Sequence, residues 1–212
     1  REMEVLPNFL PDSPGNCNTP VGPRPQPRPF FLFVGRLERL KGLQDVIPAF
    51  AGSGAADLLI AGEGEYGPDL RAQASGTERV RFLGRLATEE LGRYYRHAEA
   101  LLLPSLGFET FGITLLEAFR QSTPVLARRQ GPFPELVTAS GGGELFSNRE
   151  ELLSAMDRLL GDSAYRTTLG QAGHRALQER WSERVVLPRY LDIVRRAAER
   201  RGDTRILERL SP

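Results

Sequence analysis

Six short apolar runs, separated by helical patterns, decide what this chain can become. FFLFVG (30–35), DLLIAG (57–62), VRFLG (80–84), EALLLP (99–104), PVLA (124–127) and, more weakly, GELF (143–146) each suit a strand buried on both faces. Helical periodicity falls between them near 43–51, 68–75, 88–97 and 112–121, with Pro48 interrupting the first. Strand–helix alternation on short connections predicts an α/β domain, a doubly wound parallel sheet of about six strands. After residue 147 the strand patterns stop. SNREELLSAMDRLLG opens with a capping pair, Asn148 and Glu151, and lines up Leu152, Leu153, Met156, Leu159 and Leu160 on one face. A second helix follows Asp162, with Tyr165, Leu169, Ala172, Ala176 and Leu177 in register. A third is expected over about 183–200, kinked near Pro188, giving a helical carboxyl-terminal tail.

Composition narrows the function classes. A net charge of +1 argues against a polyanion-binding surface, and so against a nucleic-acid partner. No apolar run has the length needed to span a bilayer, and REMEVLPNFL lacks the layout of a signal peptide. Cys17 is the single cysteine, which excludes an internal disulfide and a cysteine-based metal cluster. A reducing, cytoplasmic setting is therefore expected. Residues 1–29 hold eight of the sixteen prolines and end in PRPQPRP, the composition of a linker or arm.

Three motifs carry candidate chemistry. GEGEYG (62–67) follows a strand and matches the G-x-G-x-x-G of a dinucleotide-binding turn. Against that, Glu63 and Glu65 would face the pyrophosphate, and VRFLG runs into Arg85 with no acid to hold a ribose; a glycine turn leaving a strand is the alternative. GRLERLKG (35–42) puts Gly35, Arg36 and Lys41 at the carboxyl end of the first strand, where open α/β sheets bind ligands. Of the 28 basic residues Lys41 is the only lysine. The loop could be a solvated basic turn or a phosphate site; the isolated ammonium favours the phosphate site. In FETFGITLLEAFRQSTPVLA (108–127), a helix opening at Gly112 presents free N–H groups and a positive dipole end to an anion. The missing side chain at Gly112 would let a ligand come close to the backbone. Ile113, Leu115, Leu116 and Phe119 form the apolar face. Glu109 and Glu117 flank the helix start as acceptors suited to sugar hydroxyls, although Glu117 alone could be an ordinary exposed glutamate. His97 and His174 sit at no strand end and suit packing or surface roles.

Together, FVGRLERLKG, LLIAGEGE, VRFLGRL, ALLLPSLGFETFGITLLEAFRQSTPVLA and GPFPELV closely resemble the carboxyl-terminal domain of the family four, group 1 retaining glycosyltransferases. That resemblance implies a Rossmann-like, nucleotide-sugar-binding half of a GT-B fold over residues 30–181, with 1–29 as interdomain linker and 182–212 as a carboxyl-terminal helix and tail. It implies that Arg36 and Lys41 bind a diphosphate, that Glu109 and the Phe111–Gly112 backbone contact the donor sugar, and that Glu117 holds ribose hydroxyls. Gly35, Ile113 and Thr114 would complete the donor site, and Arg36, Lys41 and Glu109 the catalytic set. Neither metal nor cofactor is implied beyond a nucleotide-diphosphate sugar. The implied partner is an amino-terminal acceptor-binding domain of the same protein. A full-length enzyme of this kind could meet the inner face of a membrane peripherally, and the open face of this half could pair weakly with a second copy. Two other readings stay open, a noncatalytic nucleotide-sugar-binding module and an NAD-dependent oxidoreductase resting on GEGEYG. Two departures from the family pattern stand nearby. Ser122 occupies a usual glycine position, and GPFPE replaces a Gly-Gly pair.

Overall fold

The first apolar run is buried because both faces of its strand are covered. In the computed structural model, which describes residues 4–11, 22–51 and 54–210, Phe31 and Phe33 enter one core and Phe30 and Leu32 another. Successive side chains of a strand point to opposite faces, so the two cores lie on opposite sides of one sheet. Its strands are β1 (Phe30–Val34), β2 (Asp57–Ala61), β3 (Val80–Gly84), β4 (Leu101–Leu103), β5 (Val125–Arg128) and β6 (Gly143–Phe146). All pair in parallel in the order β3-β2-β1-β4-β5-β6. This is the expected doubly wound, six-stranded architecture. The winding reverses between β1 and β4, which opens a crevice outside their carboxyl ends.

Helices α1 (Leu43–Val46), α2 (Gly67–Ala74) and α6 (Arg149–Gly161) cover the first face through Leu43, Val46, Leu70, Leu152, Met156 and Leu159. Helices α3 (Thr88–His97), α4 (Ile113–Arg120) and α5 (Phe133–Ser140) cover the second through Tyr95, Leu115, Leu116, Phe119, Phe133 and Leu136. Asn148 caps α6 by accepting from the Glu151 amide at 2.9 Å, and Asp162 caps α7 (Ser163–Ala176) by accepting from the Tyr165 amide at 2.8 Å. Next come α8 (Glu183–Arg201), running through Pro188, and α9 (Thr204–Arg209). No helix among the described residues is long and apolar enough to cross a membrane.

Several local expectations change. The single helix over 43–51 is instead α1 followed by a 3-10 turn, Ile47–Phe50. Pro48 has no N–H to continue the α ladder, so the chain tightens there. GPFPE is not merely a loop. Gly131 precedes α5, and Pro132 and Pro134 bracket Phe133 in its first turn, where absent N–H groups cost nothing. A π-helical turn, Leu177–Trp181, joins α7 to α8 and buries Trp181 against Phe119 with ring centroids 6.4 Å apart. Ser122 adopts φ 56°, the left-handed conformation that glycine enters most easily. Its place in a glycine position of the family pattern is thus visible as backbone strain.

The described parts of the proline-rich segment are fastened to the domain. Leu10 donates its amide to the Trp181 carbonyl at 3.1 Å and is buried. Gln26 reaches Asp57 at 3.0 Å and accepts from Arg81 at 2.9 Å, while Arg24 and Arg166 both pair with Glu99. Polar groups buried at the strand starts require such partners. Cys17 lies outside the described residues. Each histidine is tied to a backbone carbonyl, His97 Nε2 lying 3.2 Å from that of Gly22 and His174 Nδ1 3.1 Å from that of Phe119.

Helix α7 crosses α4 so closely that a Cβ on Gly173 would lie 2.3 Å from the Phe119 ring. Helix propensity alone favours alanine over glycine by about 1 kcal/mol. Gly173→Ala is nevertheless expected to destabilise the domain by about 1–3 kcal/mol through overpacking. Gly161→Ala, with nothing within 4 Å of the added methyl, should be tolerated. Urea denaturation midpoints of both variants check this, and a stabilised Gly173→Ala would contradict the packing.

Candidate functional site

Three strand-end loops meet at the crevice, joined through their backbones. After β1, Leu37 donates to the Glu63 carbonyl at 2.9 Å and accepts from the Tyr66 amide at 3.0 Å, which joins the first loop to the one after β2. Leu40 accepts from the amides of Leu106 and Gly107 at 2.8 and 3.2 Å, which joins it to the loop after β4. The glycines of GEGEYG serve this contact. A Cβ on Gly62 would lie 1.9 Å from the Gly35 oxygen, and one on Gly64 2.4 Å from the Leu37 oxygen. Close approach of two protein loops explains that motif without a pyrophosphate.

The zipped loops bring Lys41 to Glu109, 68 positions later. Lys41 Nζ donates to Glu109 Oε1 at 2.7 Å, and Ser105 Oγ donates to the same oxygen at 2.7 Å. Among the described residues Oε2 has no protein partner. Burial alone raises the Glu109 carboxyl. The hydrogen bonds from Lys41 and Ser105, with the charges of Lys41 and Arg36, outweigh it and hold the group below its ordinary value of 4.5. Glu109 is therefore a carboxylate at neutral pH.

This cluster borders a cavity of about 230 Å³, also lined by Gly35, Thr110, Gly112, Ile113, Thr114 and Phe133. Residues 113 and 114 open α4, whose N-terminus has no side-chain cap; Leu115 donates to the Gly112 carbonyl at 3.0 Å, while the Ile113 and Thr114 amides, at the cavity's edge, have no partner among the described residues. Gly112 has a packing reason of its own. Its φ of 98° favours glycine, and a Cβ there would strike Phe133 at 2.8 Å, so backbone conformation and side-chain packing both exclude a larger residue. Ile113 is not on the buried face; it is 40% exposed at the cavity rim, while Leu115, Leu116 and Phe119 are fully buried. The Phe111 ring turns instead to Trp181, edge-on at 6.4 Å.

Arg36 and Glu117 lie apart from the cluster. The Arg36 side chain is 78% exposed and pairs with Glu38 at 2.8 Å. It borders a larger cavity of about 460 Å³ with Gly62, Glu63, Arg85, Leu86 and Leu91, which shares Val34 and Gly35 with the first. Glu117 lies beyond Leu91, on a small opening of about 70 Å³, where its Oε2 accepts from the Tyr95 hydroxyl at 2.6 Å. Sequence reasoning passed over Ser105, Phe133 and Tyr95. Position offered a signal for Ser105, which follows the β4 run at the sheet's switch point. Phe133 and Tyr95 looked like ordinary core aromatics, and nothing local set them apart. Among the described residues no group of three or more His, Cys, Asp or Glu side chains could hold a metal ion.

Residues 18–176 match the family described as glycosyl transferases group 1. The chain belongs to that family. The chain is 30% identical over 186 residues to a GDP-mannose-dependent monoacylated alpha-(1-6)-phosphatidylinositol monomannoside mannosyltransferase of Corynebacterium glutamicum, covering 84% of this chain and 46% of that one. In structure it is similar to sucrose-phosphate synthase of Thermosynechococcus elongatus, with a TM-score of 0.72 and 27% identity over 85% of this chain and 47% of that chain. Anabaena HepE in complex with UDP gives a TM-score of 0.71 at 20% identity, over 79% and 48% of the two chains. The chain thus spans just under half the length of these relatives.

The pairing of Lys41 and Glu109 has a signature in acid. A carboxyl whose folded pKa lies below its unfolded one contributes stability fully above the unfolded value and loses it as pH falls through the folded value. Glu109 should therefore support the fold at neutral pH and lose that support below 4.5. Lys41→Met removes the ammonium and leaves burial in place. The Glu109 carboxyl titration, followed by carbon NMR, is expected to move to higher pH in that variant. An unmoved midpoint would mean that Lys41 does not set the charge of Glu109.

Proposed function

We propose that this chain is the donor-binding half of a retaining glycosyltransferase, carrying a nucleotide-diphosphate sugar across the cavities beside Lys41 and Arg36. The cluster of Lys41, Ser105 and Glu109 against the uncapped start of α4 carries this reading. A cation and free helix amides suit a diphosphate, and an ionised carboxylate with one open oxygen suits a sugar hydroxyl. The names of the relatives support the donor class, GDP-mannose for one and UDP in the complex of another. The adjoining cavity beside Arg36 has the volume for a nucleoside, and Glu117 would accept from its ribose.

In this reading the arriving diphosphate draws Lys41 away from Glu109, and Ser105 stays on Oε1 to keep the carboxylate oriented. Cleavage of the bond from the sugar's anomeric carbon to the diphosphate leaves negative charge on the departing oxygen. Lys41, Arg36 and the α4 amides would stabilise that charge in place, with no cofactor besides the donor. Transfer then proceeds on the face the diphosphate leaves, with retention of configuration, to an acceptor held by a second domain. Such positioning can contribute about 7–11 kcal/mol to barrier lowering. The 212-residue chain, offering no second wall to the crevice, should bind donor and transfer nothing.

Calorimetry with UDP, GDP and ADP in parallel, alongside a labelled-donor transfer assay, tests the reading. Lys41→Ala should weaken nucleoside diphosphate binding by about 1.5–3 kcal/mol, about ten- to a hundredfold. Arg36→Ala should cost less, because an exposed guanidinium is screened by water. Lys41→Arg should not restore affinity, since a planar fork cannot occupy the largely buried ammonium position beside Ser105. Glu109→Gln should leave the nucleoside diphosphate bound at least as tightly, because Lys41 is released from a competing carboxylate, and should weaken only the sugar-bearing donor. Binding of NAD in place of any nucleoside diphosphate would overturn the reading, and transfer at about 1 per second or more by this chain alone would overturn the need for a second domain.

A further inference from the structure

Glu117 is held by a residue to which no role has been assigned. Tyr95 stands in the last turn of α3 and is 3% exposed. Its ring belongs to the core formed with β4 and α4. Its carbonyl accepts from Thr123 Oγ1 at 2.7 Å, and its hydroxyl donates to Glu117 Oε2 at 2.6 Å. The residue is therefore anchored at its backbone, its ring and its hydroxyl. Burial first, and then the neighbouring Glu117 charge, raise the phenol far above its ordinary value, so the hydroxyl keeps its proton. One oxygen of Glu117 is thereby occupied from inside the protein. Oε1 has no partner among the described residues, and the group borders an opening whose Leu91 also lines the cavity beside Arg36.

We propose that Tyr95 is a positioning residue for nucleotide recognition, its buried hydroxyl fixing Glu117 in one rotamer so that Oε1 accepts from a ribose hydroxyl. This rests on the nucleotide-sugar reading given above. A glutamate in mid-helix samples several rotamers, and freezing them on binding costs affinity. A hydrogen bond made before the ligand arrives removes that cost. The rival role, a tie between α3 and α4 that serves stability alone, would act on every ligand equally or on none.

Tyr95→Phe removes one oxygen and keeps the packing. The test is calorimetry on parent and variant with whichever of UDP, GDP and ADP the parent binds, with the 2′,3′-dideoxy form of that nucleotide, and with inorganic pyrophosphate. Affinity for the ribonucleotide should fall about five- to tenfold, the effect of losing roughly one ordinary hydrogen bond. The dideoxy nucleotide and pyrophosphate should bind parent and variant alike. In a Glu117→Ala background, Tyr95→Phe should have no further effect on the ribonucleotide. Equal losses for all three ligands, no loss for any, or a full additional loss in the Glu117→Ala background would each overturn the role of Tyr95. A parent chain that binds no nucleoside diphosphate would overturn the functional reading first, and a parent that binds one while Tyr95→Phe matches it would overturn only this proposal.

Discussion

The loop from Gly35 to Gly42 is bonded through its backbone to both neighbouring loops, and the site depends on that. Leu37 exchanges hydrogen bonds with the loop after β2, and Leu40 accepts two from the loop after β4. On the second side Gly42 lies so close to the Pro104 oxygen that a Cβ would be 2.0 Å from it. A loop held on one side could swing its cations into solvent. Held on both, it fixes Lys41 against Glu109 while leaving the Arg36 side chain exposed. The two cations, which look alike as neighbours in sequence, therefore differ in burial and in expected energetic weight.

The ammonium and carboxylate at the centre are each about three-quarters buried. Burying either alone would be expensive, and a pair at hydrogen-bond distance offsets much of that cost. Ser105 supplies a neutral donor to the same oxygen, so the carboxylate keeps a partner when the lysine is drawn elsewhere. The same economy recurs at Glu117, where Tyr95 holds one oxygen and the other stays open. Each carboxylate is tied by a buried hydroxyl on a different element, Ser105 after β4 and Tyr95 on α3. In both cases the donor is a buried side chain of the scaffold.

Family membership fits this arrangement. The chain matches group 1 glycosyl transferases over most of its length and spans just under half of the relatives compared with it. The crevice lies at one sheet's switch point beside a helix start without a side-chain cap, and the described residues place no opposing wall over it. The exposed Leu40, Leu106 and Phe108 stand on loops around the same crevice. Apolar side chains there suit a face that another surface covers.

Periodicity determined the sheet. Runs of continuous apolar residues can be stable only as strands covered on both sides, and short connections leave few topologies besides a doubly wound one. Lys41, Glu109 and Glu117 stood out as candidates because a lone lysine at a strand end and acids around a helix start break the surrounding pattern, and the structure joins the first two. Local pattern failed where neighbours distant in sequence intervened. It made one helix of 43–51, saw no α5 behind its prolines, and put Ile113 on the buried face. It read Gly112 as room for a ligand, although Phe133, 21 positions later, also demands that room. Ser105 and Tyr95 escaped notice because a serine after a strand and a tyrosine in a helix are ordinary in composition. Only the tertiary structure puts their hydroxyls within 2.7 Å of a carboxylate. The sequence by itself settles the six strands and most of the helices between them, since local periodicity is enough for that. Which oxygen meets which donor depends on how three loops and two helices pack, and no local pattern encodes it.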